Sequence, residues 1–224
     1  MSLLSTMIEY LAFRPFRALL QVYIHLGSTC FQSIKPGTEL PEATLEEIVR
    51  FRESQYAGNQ DYLIPDTQEA RAQEKSLDLR SYHGIARDRT GQIIAVARFT
   101  PYPFETTRLL GPRLTAPFHG YLEISRLVCA KRRSGIGRRL LLQGGCFAIG
   151  TGRYRGFVAV CKSGNLGIFE KFGLGTHGQH RIPGRPASTY HFISADFQRI
   201  TGTTLAYTSR KLAHACSVIL SPFL

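Results

Sequence analysis

Two short stretches of this chain carry residue types that could do chemistry. The first is Arg132-Arg-Ser-Gly-Ile-Gly137, where two glycines follow a pair of arginines. Glycines let a chain turn with positive φ and let backbone amides approach a ligand closely. A helix starting beside them adds unpaired N–H groups and the positive end of its dipole, so the stretch reads as a cradle for a diphosphate. It has neither the Gly-Lys-Ser/Thr ending of a Walker loop nor the third glycine of a dinucleotide fingerprint. The second stretch is Leu122-Glu-Ile-Ser-Arg-Leu-Val128. In a strand, Glu123, Ser125, Leu127 and Cys129 share one face, and Arg126 shares the other with Leu122, Ile124 and Val128. A carboxylate and a guanidinium on so apolar a strand are costly unless paired or used. Arg126, and Arg98 in Ala97-Arg-Phe-Thr-Pro101, read equally well as ion-pair partners of a buried acid or as substrate contacts. Glu123 reads as a functional carboxylate.

Elements must hold these groups in place. Thr44-Leu-Glu-Glu47 has the form of a capping box, predicting a helix that runs towards Tyr56. Residues 58–75 are polar and weakly periodic, and read as a long loop with at most one helical turn. Tyr82–Arg87 and Gln92–Thr100 read as a hairpin joined at Asp88-Arg-Thr-Gly91. Tyr121–Cys129 is a strand, and Gly137–Ala148 a helix in which Gly144 and Gly145 signal a close backbone approach. Phe157–Cys161 is an apolar strand, Asn165–Phe172 a short helix, Thr189–Ser194 a last strand and Ser209–Leu220 a last helix. A hairpin feeding into β-α-β-α-β predicts an α/β fold: a mixed, mainly antiparallel central sheet flanked by helices. The expected division is a helical extension over 1–40, one domain over 41–200 and a helical extension over 201–224.

Composition narrows the classes. The chain has 224 residues, 43% hydrophobic and 11% aromatic, enough to bury a core, which excludes disorder over its length. Lys and Arg number 28 against 16 acidic residues, a net charge of +12, with a pI near 9.8. Such a surplus attracts polyanions, and Lys131, Arg132, Arg133, Arg138 and Arg139 crowd together. No recognition-helix, zinc or RNA-binding signature accompanies the charge, so no specific nucleic acid is expected. The five cysteines make an odd count without a C-x-x-C pair, which suits a reducing cytoplasm and neither a disulfide framework nor a metal site. The apolar residues of Met1–Leu26 are interrupted by Glu9, Arg14, Pro15 and Arg17. They read as amphipathic helices packed on the domain, with peripheral membrane contact by residues 1–35 as the alternative.

Arg132-x-x-Gly135-x-Gly137 resembles the R/Q-x-x-G-x-G/A signature with which enzymes of the GNAT superfamily hold the pyrophosphate of coenzyme A. Leu122-Glu-Ile-Ser-Arg-Leu-Val128 resembles the E-x-S-R strand of acyl-homoserine-lactone synthases and N-acyl amino acid synthases. Ala97-Arg-Phe-Thr-Pro101 and Ser81-Tyr-His83 resemble further strand motifs of those groups. The resemblance covers roughly Leu45 to Ser194. It implies an N-acyltransferase that moves a medium or long acyl chain from acyl-CoA or an acyl-carrier protein to the amine of an amino acid or peptide, with no metal. It implies catalytic roles for Glu123, His83 and Ser125. Donor binding falls to Leu127, Val128, Arg132, Arg133, Ser134, Gly135, Ile136, Gly137, Arg138 and Asn165, and substrate contact to Arg98, Arg126 and Phe99. Glu123 would act as base or would orient a water or the amine. The basic cluster is compatible with an acidic acyl-carrier protein docking beside the glycine loop.

The sequence departs from the pattern in three places. Phe169 stands where many acetyltransferases have the tyrosine that protonates the departing thiolate, and Phe has no proton to donate. The aspartates expected ahead of the first strand have only loose counterparts in Asp61, Asp66 and Asp78. The lid tryptophan of the lactone synthases is absent, since the chain has none. These gaps count more against a lactone synthase than against an N-acyltransferase. Three alternatives stand beside this reading: an acetyl-CoA-dependent N-acetyltransferase, an acyl-homoserine-lactone-type synthase, and a catalytically silent module that binds membrane or nucleic acid. A cytoplasmic protein is expected, with membrane association as the variant.

Overall fold

The computed structural model describes residues 29–57, 67–131, 134–182 and 188–203. The helices expected over Met1–Leu26 and Ser209–Leu220 lie outside the described residues, as do Arg132 and Arg133. The fold is mixed α/β, with a mostly antiparallel open sheet flanked by helices. The chain forms two compact units, Met1–Pro101 with Ile124–Gly152 and Tyr102–Glu123 with Arg153–Leu224.

In the first unit, strands β1 (Cys30–Phe31) and β2 (Lys35–Pro36) both pair antiparallel with β3 (Tyr82–Arg87). Strand β3 pairs with β4 (Ile93–Pro101) in the register His83↔Arg98, and β4 neighbours β5 (Leu122–Cys129). Helix α1 (Glu42–Tyr56) buries Ile48, Arg52 and Tyr56, spaced by four so that they share one face. Its two apolar members pack with Ile85, Val96 and Val128. Helix α2 (Gln68–Arg80) follows, and then, after β5, helix α5 (Ile136–Thr151).

In the second unit, helices α3 (Glu105–Leu110) and α4 (Pro112–Thr115) precede β5. Strand β6 (Gly156–Lys162) then leads through a 3-10 turn, Ser163–Asn165, into α6 (Leu166–Glu170). Strand β8 (Tyr190–Asp196) lies antiparallel between β6 and β7 (Gly175–His180), and the β7–β8 register slips between Thr176 and Gln179. Phe104, Val158 and Phe192 form the core here. Gly156 is obligatory, because a Cβ there would stand 2.1 Å from the Ala195 carbonyl oxygen.

The expected strands appear, and several expectations need correction. The capping box at Thr44 is not used: α1 starts at Glu42 after Pro41, with no side-chain cap. Glu47 instead takes a fork from Arg87 at 2.6 and 2.7 Å. Much of the stretch expected to be a loop is α2, a 13-residue helix capped by Thr67, whose hydroxyl accepts from the Ala70 amide at 3.1 Å. Its polar sequence hid it, because α2 buries acidic groups rather than an apolar stripe. The Gly/His-rich stretch after Gly173 contains β7, whose alternation is of His and Gln rather than of apolar residues.

Candidate active site

Five ionic side chains meet in the first unit. Asp78, 4% exposed, sits in the last turns of α2 and receives both terminal nitrogens of Arg52 from α1. Arg98 of β4, 1% exposed, reaches Asp78 Oδ1 and Glu74 Oε1 with Nη1, each at 3.0 Å. Its Nε donates to Ser125 Oγ at 3.1 Å. Arg126 holds Glu74 in a fork, Nε to Oε1 at 2.8 Å and Nη2 to Oε2 at 3.0 Å. Glu74 and Asp78, four residues apart, project from one face of α2. Burial opposes both charges, yet the surrounding guanidiniums prevail. Arg126, Arg98 and Arg52 hold Glu74 down at about 2, and Arg52 and Arg98 hold Asp78 below the ordinary carboxylate range.

His83 lies under this cluster, 2% exposed, with Nε2 donating to the Asp78 carbonyl at 2.8 Å. Burial is the main cause that lowers its pKa, so the imidazole is neutral at neutral pH. The structure thus brings together four of the sequence-derived candidates: His83, Arg98, Ser125 and Arg126. The missing centre of that group is Glu74. Its signal was the i, i+4 pair of acids just ahead of β3, which a polar-loop reading discards. Asp78 had been marked only loosely.

Arg126 breaks β5. Its φ is +51, the sole non-glycine residue with positive φ among the described residues. Left-handed backbone costs roughly 1–2 kcal/mol for a residue with a Cβ, and the fork to Glu74 holds it there. The simple alternation of faces therefore stops at Ser125, and residues 125–127 are half-buried where the flanking ones are buried. Such an outlier re-aims the peptide groups on either side.

Glu123 has partners of another kind. Its carboxylate, 2% exposed, accepts from the amides of Glu105 at 2.7 Å and Thr106 at 2.9 Å, and from the Thr106 hydroxyl. It caps the start of α3. A carboxylate committed to these donors must surrender one to take a proton, so Glu123 is placed as an anchor for α3. Phe99 is fully buried, its ring seated where a Cβ on Gly144 of α5 would come within 2.3 Å. The close approach expected at that glycine is thus between α5 and a β4 side chain.

The glycine loop turns as its sequence requires. Gly135 is left-handed, φ +76, with open space where a Cβ would be, and it serves as N-cap of α5. The amide of Arg139 makes an early intrahelical bond, to the Gly135 carbonyl. The amides before it belong to the first turn, where a helix has no carbonyl of its own to offer. Gly137 lies against the end of β5, and a Cβ there would stand 3.0 Å from Cys129 Sγ. Ser134 Oγ donates to the Lys131 carbonyl at 2.9 Å. An αL residue leading into a 16-residue helix, with no atom of the described residues within 4 Å of where its Cβ would stand, fits a diphosphate. Burial pushes the thiols of Cys129 and Cys161 up to about 11, so neither is a ready nucleophile. No group of His, Cys, Asp or Glu able to hold a metal exists among the described residues, and no helix there is long and apolar enough to cross a membrane.

No protein-family model matches the sequence, and no curated protein does. Solved structures do match. An acyl-CoA N-acyltransferase from Pseudomonas aeruginosa superposes with TM-score 0.56 at 16% identity, over 75% of this chain and 99% of its own. Escherichia coli ElaA gives 0.56 at 13% identity, over 74% and 98%. The ribosomal-protein-alanine N-acetyltransferase of Brucella melitensis gives 0.52 at 19%, over 73% and 98%. The fold of this chain is therefore that of the acyl-CoA N-acyltransferases of the GNAT family.

Proposed function

We propose that this protein is an N-acyltransferase that moves a medium or long acyl chain from acyl-CoA or an acyl-carrier protein to the amine of an amino acid or peptide. The observation that carries the reading is the left-handed Gly135 at the start of α5, directly after a strand whose backbone is broken at Arg126. Acyl-CoA, when bound, supplies a thioester carbonyl that an amine can attack.

Ser134, Gly135, Ile136, Gly137 and Arg138 turn the positive dipole end of α5 to its phosphates, the Ile136 amide exchanging its 3.4 Å bond to Ser134 Oγ and the Gly137 amide its bond to the Cys129 thiol for the donor, and Arg132 and Arg133 add charge by their place in the sequence. Leu127 and Val128 offer strand amides to the rest of the donor. The peptide groups re-aimed at Arg126 are suited to donate to a carbonyl oxygen that gains negative charge. Arg98, Ser125 and Arg126 lie with His83 in a cluster of three guanidiniums and two carboxylates, a surplus of one positive charge among those five ions. That surplus favours an acceptor bearing a carboxylate, with Arg126 its most accessible guanidinium and Phe99 a packing residue behind β4. Glu123 keeps α3 in place and orients rather than exchanges protons.

The test is turnover of acyl-CoA donors of increasing chain length with a mixture of amino acids, read by thiol release and by mass spectrometry of the acylated amine. A maximum at medium or long chains supports the reading. A maximum at acetyl replaces it with an acetyltransferase, and no amide with any donor overturns it. Carrier-protein docking predicts that activity with an acyl-carrier protein falls steeply with salt, because exposed charges are screened over roughly 10 Å at 0.1 M.

A further inference from the structure

Two consecutive residues of β5 are gripped by one ionic cluster. Arg98 Nε donates to Ser125 Oγ at 3.1 Å, and Glu74 takes the fork of Arg126 at 2.8 and 3.0 Å. Arg98 and Glu74 are themselves paired at 3.0 Å. In an unbroken strand consecutive side chains point to opposite faces. Here Ser125 and Arg126 join the same cluster, across the left-handed break at Arg126, φ +51.

The strand is also fixed beyond the break. Val128 is buried among Ile48, Ile85 and Val96, and the Ala130 amide donates to the Ile94 carbonyl of β4 at 2.9 Å. With both flanks held, the peptide groups beside Arg126 take their direction from the backbone angles of that one residue. They adjoin the glycine loop, since a Cβ on Gly137 would lie 3.8 Å from Leu127 Cδ1 and 3.0 Å from Cys129 Sγ. The two acids of the cluster differ in what they hold. Asp78 is engaged by Arg52 and Arg98, whereas Glu74 is the acid that forks Arg126. A bidentate guanidinium–carboxylate pair is strong and directional, which offsets the cost of left-handed backbone in a residue with a Cβ.

We propose that Glu74 is a positioning residue: by holding Arg126 left-handed it aims the β5 amide that faces the developing charge on the donor's carbonyl oxygen. This rests on the acyl-transfer reading. As the amine nitrogen bonds to the thioester carbon, the carbonyl π pair moves onto oxygen, where an aimed N–H stabilises it. The pair returns as the C–S bond breaks, and the proton shed at nitrogen balances the one taken up by the thiolate. Glu74 touches none of these atoms and acts only through the backbone of Arg126.

The test uses the full chain with octanoyl-CoA as donor and the amino acid mixture as acceptor, measuring kcat and KM separately by thiol release. Arg126→Ala and Arg126→Gly both lose the guanidinium and should raise the acceptor KM alike. Glycine takes positive φ without strain and alanine does not, so Arg126→Ala should turn over about tenfold more slowly than Arg126→Gly at saturating substrates. Glu74→Gln should lower kcat about tenfold with the octanoyl-CoA KM kept within about twofold, and its effect should shrink to about twofold when it is made in Arg126→Gly, which needs no latch. A general loss of stability would not be relieved by glycine in this way. If Arg126→Ala fails to fold, the comparison of Glu74→Gln alone with Glu74→Gln in Arg126→Gly decides. Equal kcat for Arg126→Ala and Arg126→Gly, or a Glu74→Gln defect undiminished in Arg126→Gly, overturns the assignment while leaving acyl transfer standing. Absence of amide from the unaltered protein with every donor of the chain-length series overturns acyl transfer and the assignment with it.

Discussion

The two units of this molecule bury polar groups by opposite means. The first encloses formal charge: Arg52, Asp78 and Arg98 are buried, Glu74 and Arg126 half-buried, and each is held by a counter-ion. The second buries neutral groups bonded to neutral groups, His191 to hydroxyls and Ser194 to an imidazole. Its carboxylate Glu123 is held by amides and a hydroxyl. A guanidinium–carboxylate lattice keeps its protons across the physiological range and is strongly directional. It is suited to fixing a strained strand, as at Arg126. Bonds between hydroxyls and neutral imidazoles are weaker and cost less to lose. The first unit is thus held by directional ion pairs, and the polar groups buried in the second by neutral hydrogen bonds.

The harshest way to break this comparison is to remove one ion from the lattice. Asp78→Ala leaves Arg52 and Arg98 buried without that partner and should cost about 3–5 kcal/mol in urea unfolding. A cost below about 1 kcal/mol would show that the lattice is no more than a surface pair. Acid provides the next largest effect. Glu74 is near 2 folded against 4.5 in its ordinary state, so its contribution is fully present above 4.5 and lost as pH falls towards 2. The loss amounts to roughly 3 kcal/mol at most, and Asp78 adds in the same direction. His83, whose pKa is lowered by burial, withdraws stability as pH drops below 6.5, because the unfolded chain takes up the proton first. Urea midpoints measured from pH 7 to pH 3 should fall steadily, and Glu74→Gln should flatten the lower part of that curve.

The second unit should respond more mildly. Glu123→Gln trades one charged acceptor for an amide and should cost about 2 kcal/mol through loosening of α3, seen as faster amide exchange at Glu105 and Thr106. Ser194→Ala removes one neutral bond to an exposed imidazole and should cost only about 1 kcal/mol by thermal unfolding. If Ser194→Ala were as damaging as Asp78→Ala, the division between ion-paired and neutral polar groups would fail.

Much of this was legible before any fold was known. Periodicity and turn residues placed β3 to the residue and β4, β5, β6 and β8 to within one or two, because each alternates or runs apolar between breakers. The glycine loop was legible because Gly135 needs a left-handed backbone that its sequence announces. Helix α2 was not, since its buried face is Asp78 with the half-buried Glu74, and a face of acids looks like a solvated loop until its arginines arrive from α1, β4 and β5. Strand β7 was hidden for a similar reason, its pairing with β8 supplying what its own residues do not advertise.

By itself the sequence announced the apolar strands, the apolar faces that drive them together and the turn at the glycine loop, all consequences of spacing along one chain. Which charge meets which was a different matter. Arg52, Glu74, Asp78, Arg98 and Arg126 come from four separate elements, and nothing local distinguishes Glu74 from the acids beside it. The same holds for Ser163, Thr176 and His191, which are hydrogen-bonded only because β8 lies between β6 and β7. Hydrogen bonds and ion pairs reach about 3 Å, so only the tertiary structure, which fixes distances between residues far apart in sequence, could decide them.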